Sequence, residues 1–454
     1  LEFLKWLYPG VGVKRWFFVA VIGGLMTGIG LDCLFGESIL ISFLNSLDRA
    51  GVQITAGNGT WCLLGIVLLG IGIACITLGL SMTVRRIVSA VRPGYGGHIA
   101  EAVLSANALK RGPSIVVIGG GTGLSTLLRG LKEYTSNITA IVTVTDDGGS
   151  SGRLRTEMGI LPPGDIRNCL VALADTEPLM QRLLQYRFRS GSGLNGHSFG
   201  NLLIAALTDL CGDFELAVRE SSKVLAVRGR VLPSTLSDVI IGAELLDGTI
   251  VRGETNLSSQ DQPIRRVFIE PADCRPLPEA IEAVREADAV ILGPGSLYTS
   301  VIPNLLVKEL TKEIAASRAA KIYVCNVMTQ KGETDKYGVY DHVKAILDHS
   351  CDGFIDYCIV NNGPVSERLL EKYRQMSQDV VRDDSHRLAA SGIRIVKANV
   401  VSETDVVRHD PVKLASVLMQ VISEARAAHA SKPRTRWPFP LRRTRTGTAV
   451  GGHK

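Results

Sequence analysis

The sequence predicts an α/β protein: a Rossmann-like, mostly parallel sheet with a small mixed α+β insertion, preceded by a transmembrane helical hairpin. Three observations carry this. The run Ile115-Val-Val-Ile-Gly-Gly-Gly-Thr-Gly-Leu124 reads as a buried strand turning through glycines into a helix. One helix length later, Ile138 to Thr145 reads as a second parallel strand that ends on Asp146-Asp147-Gly148-Gly149-Ser150. Ahead of both lie two long uncharged stretches, Trp16 to Leu31 and Trp61 to Val84.

In chain order, residues 1–92 form the membrane anchor. Cys33, Leu34 and Phe35 extend the first stretch past Asp32 to about the length that crosses a bilayer. An export signal is the alternative for this segment, although its flank lacks a convincing cleavage site. Lys5, Lys14 and Arg15 precede the first span and Arg85, Arg86 and Arg92 follow the second, whereas the loop between them has Glu37, Asp48 and only Arg49. Positive flanks at both outer ends place both termini and the main domain on the cytoplasmic side of a cell membrane. Glycines 23, 24, 28 and 30, and 65, 70, 72 and 79, permit close packing within the hairpin or reflect ordinary membrane glycine usage.

Residues 93–113 form a linker, with Arg92-Pro-Gly-Tyr-Gly-Gly97 at the membrane exit and a short helix over Ile99 to Lys110. The main domain spans 114–426. After the first βαβ unit, helices are expected over Glu177 to Tyr186, Ser198 to Leu210 and Leu216 to Leu225. From 227 to about 275 the pattern changes to short strands, Arg230-Val-Leu-Pro, Val239 to Ala243, Thr249 to Arg252 and Ile264 to Glu270, read as the insertion. A helix from Pro278 to Glu286 and a strand from Ala289 restore the parallel pattern. Lys321 to Met328, Phe354 to Asn362 and Ile393 to Lys397 supply further strands, and Pro411 to Arg426 a closing helix.

Charge and cysteine usage exclude several classes. Of the 50 Lys and Arg residues, seven lie between Ser431 and Lys454 with no acid, so the rest balances 43 basic against 44 acidic residues. The tail, 427–454, reads as a basic disordered segment for solvent or anionic lipid. Without a basic stripe on the body, nucleic acid is not an expected partner. The nine cysteines show no paired CxxC spacing suited to structural zinc and read mostly as small core residues.

The candidate site collects at strand ends, where parallel sheets place ligands. Gly119, Gly120, Gly121, Thr122 and Gly123 lack the dinucleotide fingerprint and the P-loop ending, yet they let backbone amides approach an anion. Gly148, Gly149 and Ser150, then Asp165 with Asn168, and then Gly293, Gly295 and Ser296 repeat that chemistry. Arg153 and Arg167 suit a phosphate clamp, or pair with Asp147 or Asp165 to hold a loop. Asp146 and Asp147 suit Mg²⁺ bridged to phosphate, with only one of them, Asp147 as the metal candidate, touching the ion and the other capping a turn. Asn201 either contacts ligand or caps its helix, and isolated His197 carries little catalytic weight. Tyr298 either stacks on a base or sugar or sits in the core. Asn326, Thr329 and Gln330 supply polar recognition, as do Asn361 and Asn362 at a later strand end. No residue is singled out as catalytic.

Taken in order, Gly119 to Gly123, Asp146 to Arg153, Pro163 to Asn168, Gly196 to Asn201, Gly293 to Ser300 and Asn326 to Thr334 resemble the gluconeogenesis-factor family, the YvcK-like proteins related to 2-phospho-L-lactate transferase. The resemblance covers Ser114 to about Ser423. It implies a Rossmann-like core that binds a UDP-sugar, notably UDP-N-acetylglucosamine, with a role in cell shape, envelope synthesis and gluconeogenic growth. By that analogy Gly120 to Thr122 and Arg153 surround phosphate and Tyr298 contacts the nucleotide sugar. Three readings stay open: a membrane-tethered sensor with protein partners in envelope or carbon regulation, as a monomer or a homodimer; a Mg²⁺-dependent transferase acting on a nucleotide conjugate; and a non-enzymatic membrane scaffold.

Overall fold

The computed structural model describes residues 14–35, 58–91, 107–175, 178–403 and 406–431. The chain divides into two compact units, Leu1–Ala108 and Leu109–Lys454. The predicted linker helix therefore falls mostly outside the described residues, as do the loop between the apolar stretches and nearly all of the basic tail.

In the first unit, helices Lys14–Phe35 and Asn58–Val91 pack side by side. Glycines seven residues apart make the seam: a Cβ on Gly23 would stand 2.7 Å from the Gly72 carbonyl, and one on Gly79 would stand 2.7 Å from the Trp16 carbonyl. Gly24, Gly28 and Gly70 face no neighbour, so only part of the glycine content serves packing. Arg15–Leu34 and Cys62–Arg86 are each long and apolar enough to cross a membrane. Only 17% of each apolar window is buried, whereas a core helix of a water-soluble unit is mostly enclosed.

The second unit is built on seven parallel strands. Strands β1 (Ile115–Gly119) and β2 (Ile138–Val142) are buried along their whole length, as expected of apolar runs covered by helices on both faces. β2 stops three residues short of the predicted end, and Thr143 and Thr145 then bond through their hydroxyls at 3.0 Å. Strand β3 (Arg230–Pro233) pairs parallel with β2. This corrects the expected insertion: Arg230–Pro233 closes one edge of the main sheet. The inserted sheet is the antiparallel trio β4 (Ile240–Leu245), β5 (Ile250–Arg252) and β6 (Ile264–Glu270). Strand propensity alone does not separate a short edge strand from an inserted one.

β7 (Ala289–Leu292), β8 (Ala320–Val324), β9 (Tyr357–Asn361) and β10 (Arg394–Ala398) complete the sheet in the order β10-β9-β8-β7-β1-β2-β3. The chain runs outward from β1 in one direction and returns through β7 in the other. The strand order thus switches between β1 and β7, which opens a crevice beyond their carboxyl ends. Two short strands, β11 (Val401–Glu403) and β12 (Val407–His409), form an antiparallel hairpin. Helix Gly121–Leu131 buries Leu124, Leu127, Leu128 and Leu131, the spacing of one helical face. It packs on helix Pro411–Ser431, whose Leu414 and Leu418 are fully buried, and no side chain would fit at Gly130 against the Pro411 carbonyl.

Candidate functional site

The glycine run supplies one wall of a cleft of about 410 Å³ at the β1/β7 switch. Gly121 adopts φ +66°, which L side chains rarely enter, and starts the helix whose first residues, Gly121, Thr122 and Gly123, line the cleft. A Cβ on Gly123 would stand 2.6 Å from the Pro294 carbonyl, so this glycine is the condition for the two strand ends to meet. On the β7 side, Gly293 takes φ +76°, and Pro294, Gly295 and Ser296 lead into a one-turn π-helix, Leu297–Val301. That rarer turn brings Ser300 to the cleft beside Gly120 to Gly123.

The third wall comes from β8. Asn326 Nδ2 donates to the Gly295 carbonyl at 2.9 Å, and Ser296 Oγ donates to Gln330 Oε1 at 2.7 Å. Thr329 exchanges hydrogen bonds with Asp379, its Oγ1 accepting from the Asp379 amide at 2.9 Å. Gln330 Nε2 and Thr299 Oγ1 donate to Glu333, which burial pushes up to about 7 despite those donors.

The fourth wall was not anticipated from sequence. Tyr373, Gln378, Val407, Arg408 and His409 line the cleft, as does Thr126 from the first helix. The Tyr373 hydroxyl accepts from the Val407 amide at 3.0 Å, which ties its helix to the β11–β12 hairpin. Buried His409 donates from Nε2 to the Cys325 carbonyl at 3.2 Å, and burial holds it down at about 4, so it is neutral at physiological pH. Arg408 is exposed between two buried neighbours, and no hydrogen bond or ion pair ties it down among the described residues. Burial, and to a smaller extent the Arg408 charge, lowers the pKa of Arg129, so two guanidiniums raise the potential at this end of the cleft. Only the alternation Val407-Arg-His409 hinted at a strand with one outward cation.

Beyond Gly120, a group of carboxylates forms a second polar region. The Gly121 amide donates to Asp165, and a Cβ on Gly120 would collide with Asp165 Oδ2. Burial pushes this carboxyl up to about 6, and Asp146 adds repulsion. Asp146 Oδ1 accepts from the Gly148 amide at 2.9 Å. Glu254, from the insertion, is pushed up to about 9 by burial and by Asp146, Asp165, Glu333 and Asp147. Asp147 itself points to the insertion: its Oδ1 accepts from the Thr255 amide at 2.9 Å and from Thr255 Oγ1 at 2.7 Å. It thus caps the short turn Glu254–Leu257, the role expected of the other carboxylate, and this corrects the expectation of Asp147 as the metal ligand, because its Oδ1 is taken up by Thr255. Among the described residues no three acidic, His or Cys side chains form a shell for a metal ion.

The remaining predicted residues hold the loop that carries Ser198. Arg167 donates to Ser198 Oγ at 2.6 Å and to Asn168 Oδ1 at 2.7 Å, and its Nε is buried without a protein partner. Arg153 Nη2 donates to the Asn195 carbonyl at 2.8 Å. Neither lines the cleft. Buried His197 bonds Ser150 Oγ at 2.9 Å, and Ser150 Oγ accepts from Asn201 Nδ2 at 3.1 Å. Burial and the nearby Arg153 charge hold His197 below the ordinary histidine range. Ser198, not Asn201, caps helix Phe199–Cys211. Gly149, at φ +50°, turns the chain into helix Gly149–Met158 beside these groups. Asn361 closes its own turn by accepting from the Gly363 and Val400 amides at 3.2 Å.

Tyr298 requires a correction. It is 3% exposed, and its hydroxyl is committed to Tyr337 at 2.9 Å. Tyr337 and His349 pack edge-on to the ring, with centroids 6.4 and 6.1 Å away, so it presents no face for stacking a base.

Residues 115–401 match the family model described as 2-phospho-L-lactate transferase CofD, from the first residue of β1 to the start of β11. A Bacillus subtilis protein called gluconeogenesis factor is 51% identical over 313 residues, which are 69% of this chain and 99% of that one. The chain belongs to the gluconeogenesis-factor family. A relative in Nostoc sp. with the same family name is 50% identical over 424 residues, 92% of each chain, so likeness extends into the N-terminal unit. A crystal structure of a UPF0052-family protein from Bacillus halodurans superposes with a TM-score of 0.66 at 50% identity, covering 67% of this chain and 99% of that one. The second unit therefore corresponds to a protein that folds without the apolar helices.

Proposed function

We propose that this gluconeogenesis-factor family member is a regulator held at the cell membrane by its two apolar helices, with its cleft on the cytoplasmic side. There it binds UDP-N-acetylglucosamine or a related UDP-sugar. The observation that carries the binding reading is that the helix start at Thr122 and Gly123 and the Arg408 side chain, which has no ion pair among the described residues, line one polar cleft. Backbone donors and a guanidinium together suit a diphosphate. Ser296, Ser300, Asn326 and Gln378 offer the neutral polar groups that sugar hydroxyls and a base need, and Tyr373 offers an aromatic edge. Neither a nucleophile nor a base lines the cleft in a reactive pairing, because His409 donates to a carbonyl. Binding read out by protein partners in envelope synthesis, cell shape or carbon metabolism fits this lining.

A transferase reading draws on a specific feature as well. Asp146, Asp165 and Glu254 converge beside Gly120, and Asn201 Oδ1 is buried without a protein partner nearby. Mg²⁺ tolerates few protein ligands when phosphate and water complete its shell, so Asp146 and Asp165 fit it better than Asp147, which is committed to Thr255. Bound there, the ion would supply charge neutralisation for a phosphate. Calorimetry of the Leu109–Ser431 fragment against UDP-N-acetylglucosamine, UDP-glucose and GDP, with and without Mg²⁺, separates the readings. Saturable UDP-sugar binding without product formation supports the regulator. Mg²⁺-dependent consumption of a nucleotide conjugate replaces it with the transferase, and binding of none of the three leaves the scaffold.

A further inference from the structure

Helix Pro178–Gln185 is oddly placed for its composition: Leu184 is its one buried residue, whereas Leu179 is 67% exposed and Met180 and Leu183 are each 40% exposed. Tyr186, half exposed, continues the stripe at i, i+4 and i+7 from Leu179 and packs edge-on against Phe188 at 5.3 Å. The segment after it is ordered by backbone hydrogen bonds. Phe188 and His197 pair at 2.9 Å, Gly196 and Phe188 at 2.8 Å, and Phe199 and Tyr186 at 2.8 Å, leaving Leu194 exposed at the tip. Between Pro178 and Phe199 the sequence has Arg182, Arg187 and Arg189 and neither Asp nor Glu. All three arginines are exposed, and Arg182 and Arg189 have no ion pair among the described residues.

We infer that this helix and the hairpin after it form a docking surface for anionic phospholipid, with the apolar stripe entering the headgroup boundary and the arginines meeting lipid phosphates. An apolar stripe edged by arginine is the composition of an interfacial helix. A second copy of the chain is the poorer occupant. A two-fold contact across this face would oppose arginines to arginines with no acid in the segment to pair them. The tethering reading given above adds strength rather than chemistry. Residues 92 to 108 lie in sequence between the end of helix Asn58–Val91 and the second unit, a reach of at most about 60 Å at full extension, so a weak surface contact would form at high effective concentration. The surface also connects to the carboxylate region beside the cleft, because Ser198, at the base of the hairpin, accepts from Arg167, which feels the charges of Asp165 and Asp146. Lipid contact would restrain the loop behind Asp165 and Asn168.

The test is flotation of the Leu109–Ser431 fragment, which lacks the spans, with vesicles of phosphatidylcholine alone or with about a third phosphatidylglycerol. The fragment should float with the anionic vesicles only, and salt should release it. Leu179→Asp combined with Leu183→Asp should abolish flotation, and Arg182→Glu or Arg189→Glu should each weaken it at least about five-fold. These side chains are exposed, so circular dichroism should be unchanged. In the full chain reconstituted in anionic nanodiscs, Leu183→Trp should add a component quenched by brominated lipid beyond that of the parent, whose Trp16 and Trp61 report the spans. Failure of the full chain to insert would count against the tether alone, since the fragment assay is independent of it. Equal recovery with neutral vesicles, or no flotation together with no quenching, would overturn the proposal. So would a fragment dimer that Leu183→Asp dissociates, which would assign the face to a second copy.

Discussion

Replacing Asp165 with asparagine should stabilise the second unit at neutral pH, because the native carboxylate is held where its charge is disfavoured. Its carboxyl is enclosed by Gly120, Gly121 and Asn168, faces Asp146, and is raised from 3.8 to about 6. A folded-state pKa above the unfolded one means that stability is greatest below the unfolded value and is lost as pH rises through the folded value. A rise of that size corresponds to about 3 kcal/mol, developed between about pH 4 and 6 and constant above. At pH 4.5 only about 1 kcal/mol has accumulated. The asparagine would keep an acceptor for the Gly121 amide but turn one acceptor into a donor, which offsets about 1 kcal/mol. The Asp165→Asn variant should therefore exceed the parent by about 2 kcal/mol at pH 8 and match it near pH 4.5. Urea unfolding of the Leu109–Ser431 fragment at the two pH values measures the difference. A gap that is the same at both, or a variant less stable at pH 8, would refute the assignment of a strained carboxylate.

Three further outcomes follow from particular contacts. Arg408→Ala should weaken the preferred UDP-sugar by about 10- to 100-fold in calorimetry, the loss of one charge-assisted contact, with the unfolding midpoint unchanged since the side chain is exposed. Gly123→Ala should destabilise the unit by about 1–3 kcal/mol in urea, because its Cβ would meet the Pro294 carbonyl at 2.6 Å, and should weaken ligand binding by parting β1 from β7. Asp147→Ala should lower stability by about 1 kcal/mol through loss of the Thr255 cap and leave Mg²⁺ affinity unchanged in titration.

The strands and helices of the main sheet were legible because their apolar runs and periodicities are strong and local. Ile115–Gly119 and helix Pro278–Glu286 lie where the residues place them. The glycine loops were legible too, since positive φ at Gly121 and Gly293 leaves few alternatives. Three features depended on long-range pairing and were not. Arg230–Pro233 joins β2 across a long connection, Tyr298 turns inward to Tyr337, and Arg408 reaches the cleft only because β12 folds back on β11. No local pattern distinguishes such partners, which is why Arg153 and Arg167 looked like clamps and instead secure the Ser198 loop.

The binding reading stands or falls on whether the amides of Thr122 and Gly123 and the Arg408 guanidinium grip one diphosphate. A crystal structure of the Leu109–Ser431 fragment with UDP-N-acetylglucosamine tests this directly. The diphosphate should lie between the start of helix Gly121–Leu131 and Arg408, with the sugar or base along Asn326 to Gln330. Ligand bound away from these residues, or a diphosphate seated on Arg153 and Arg167, would contradict it.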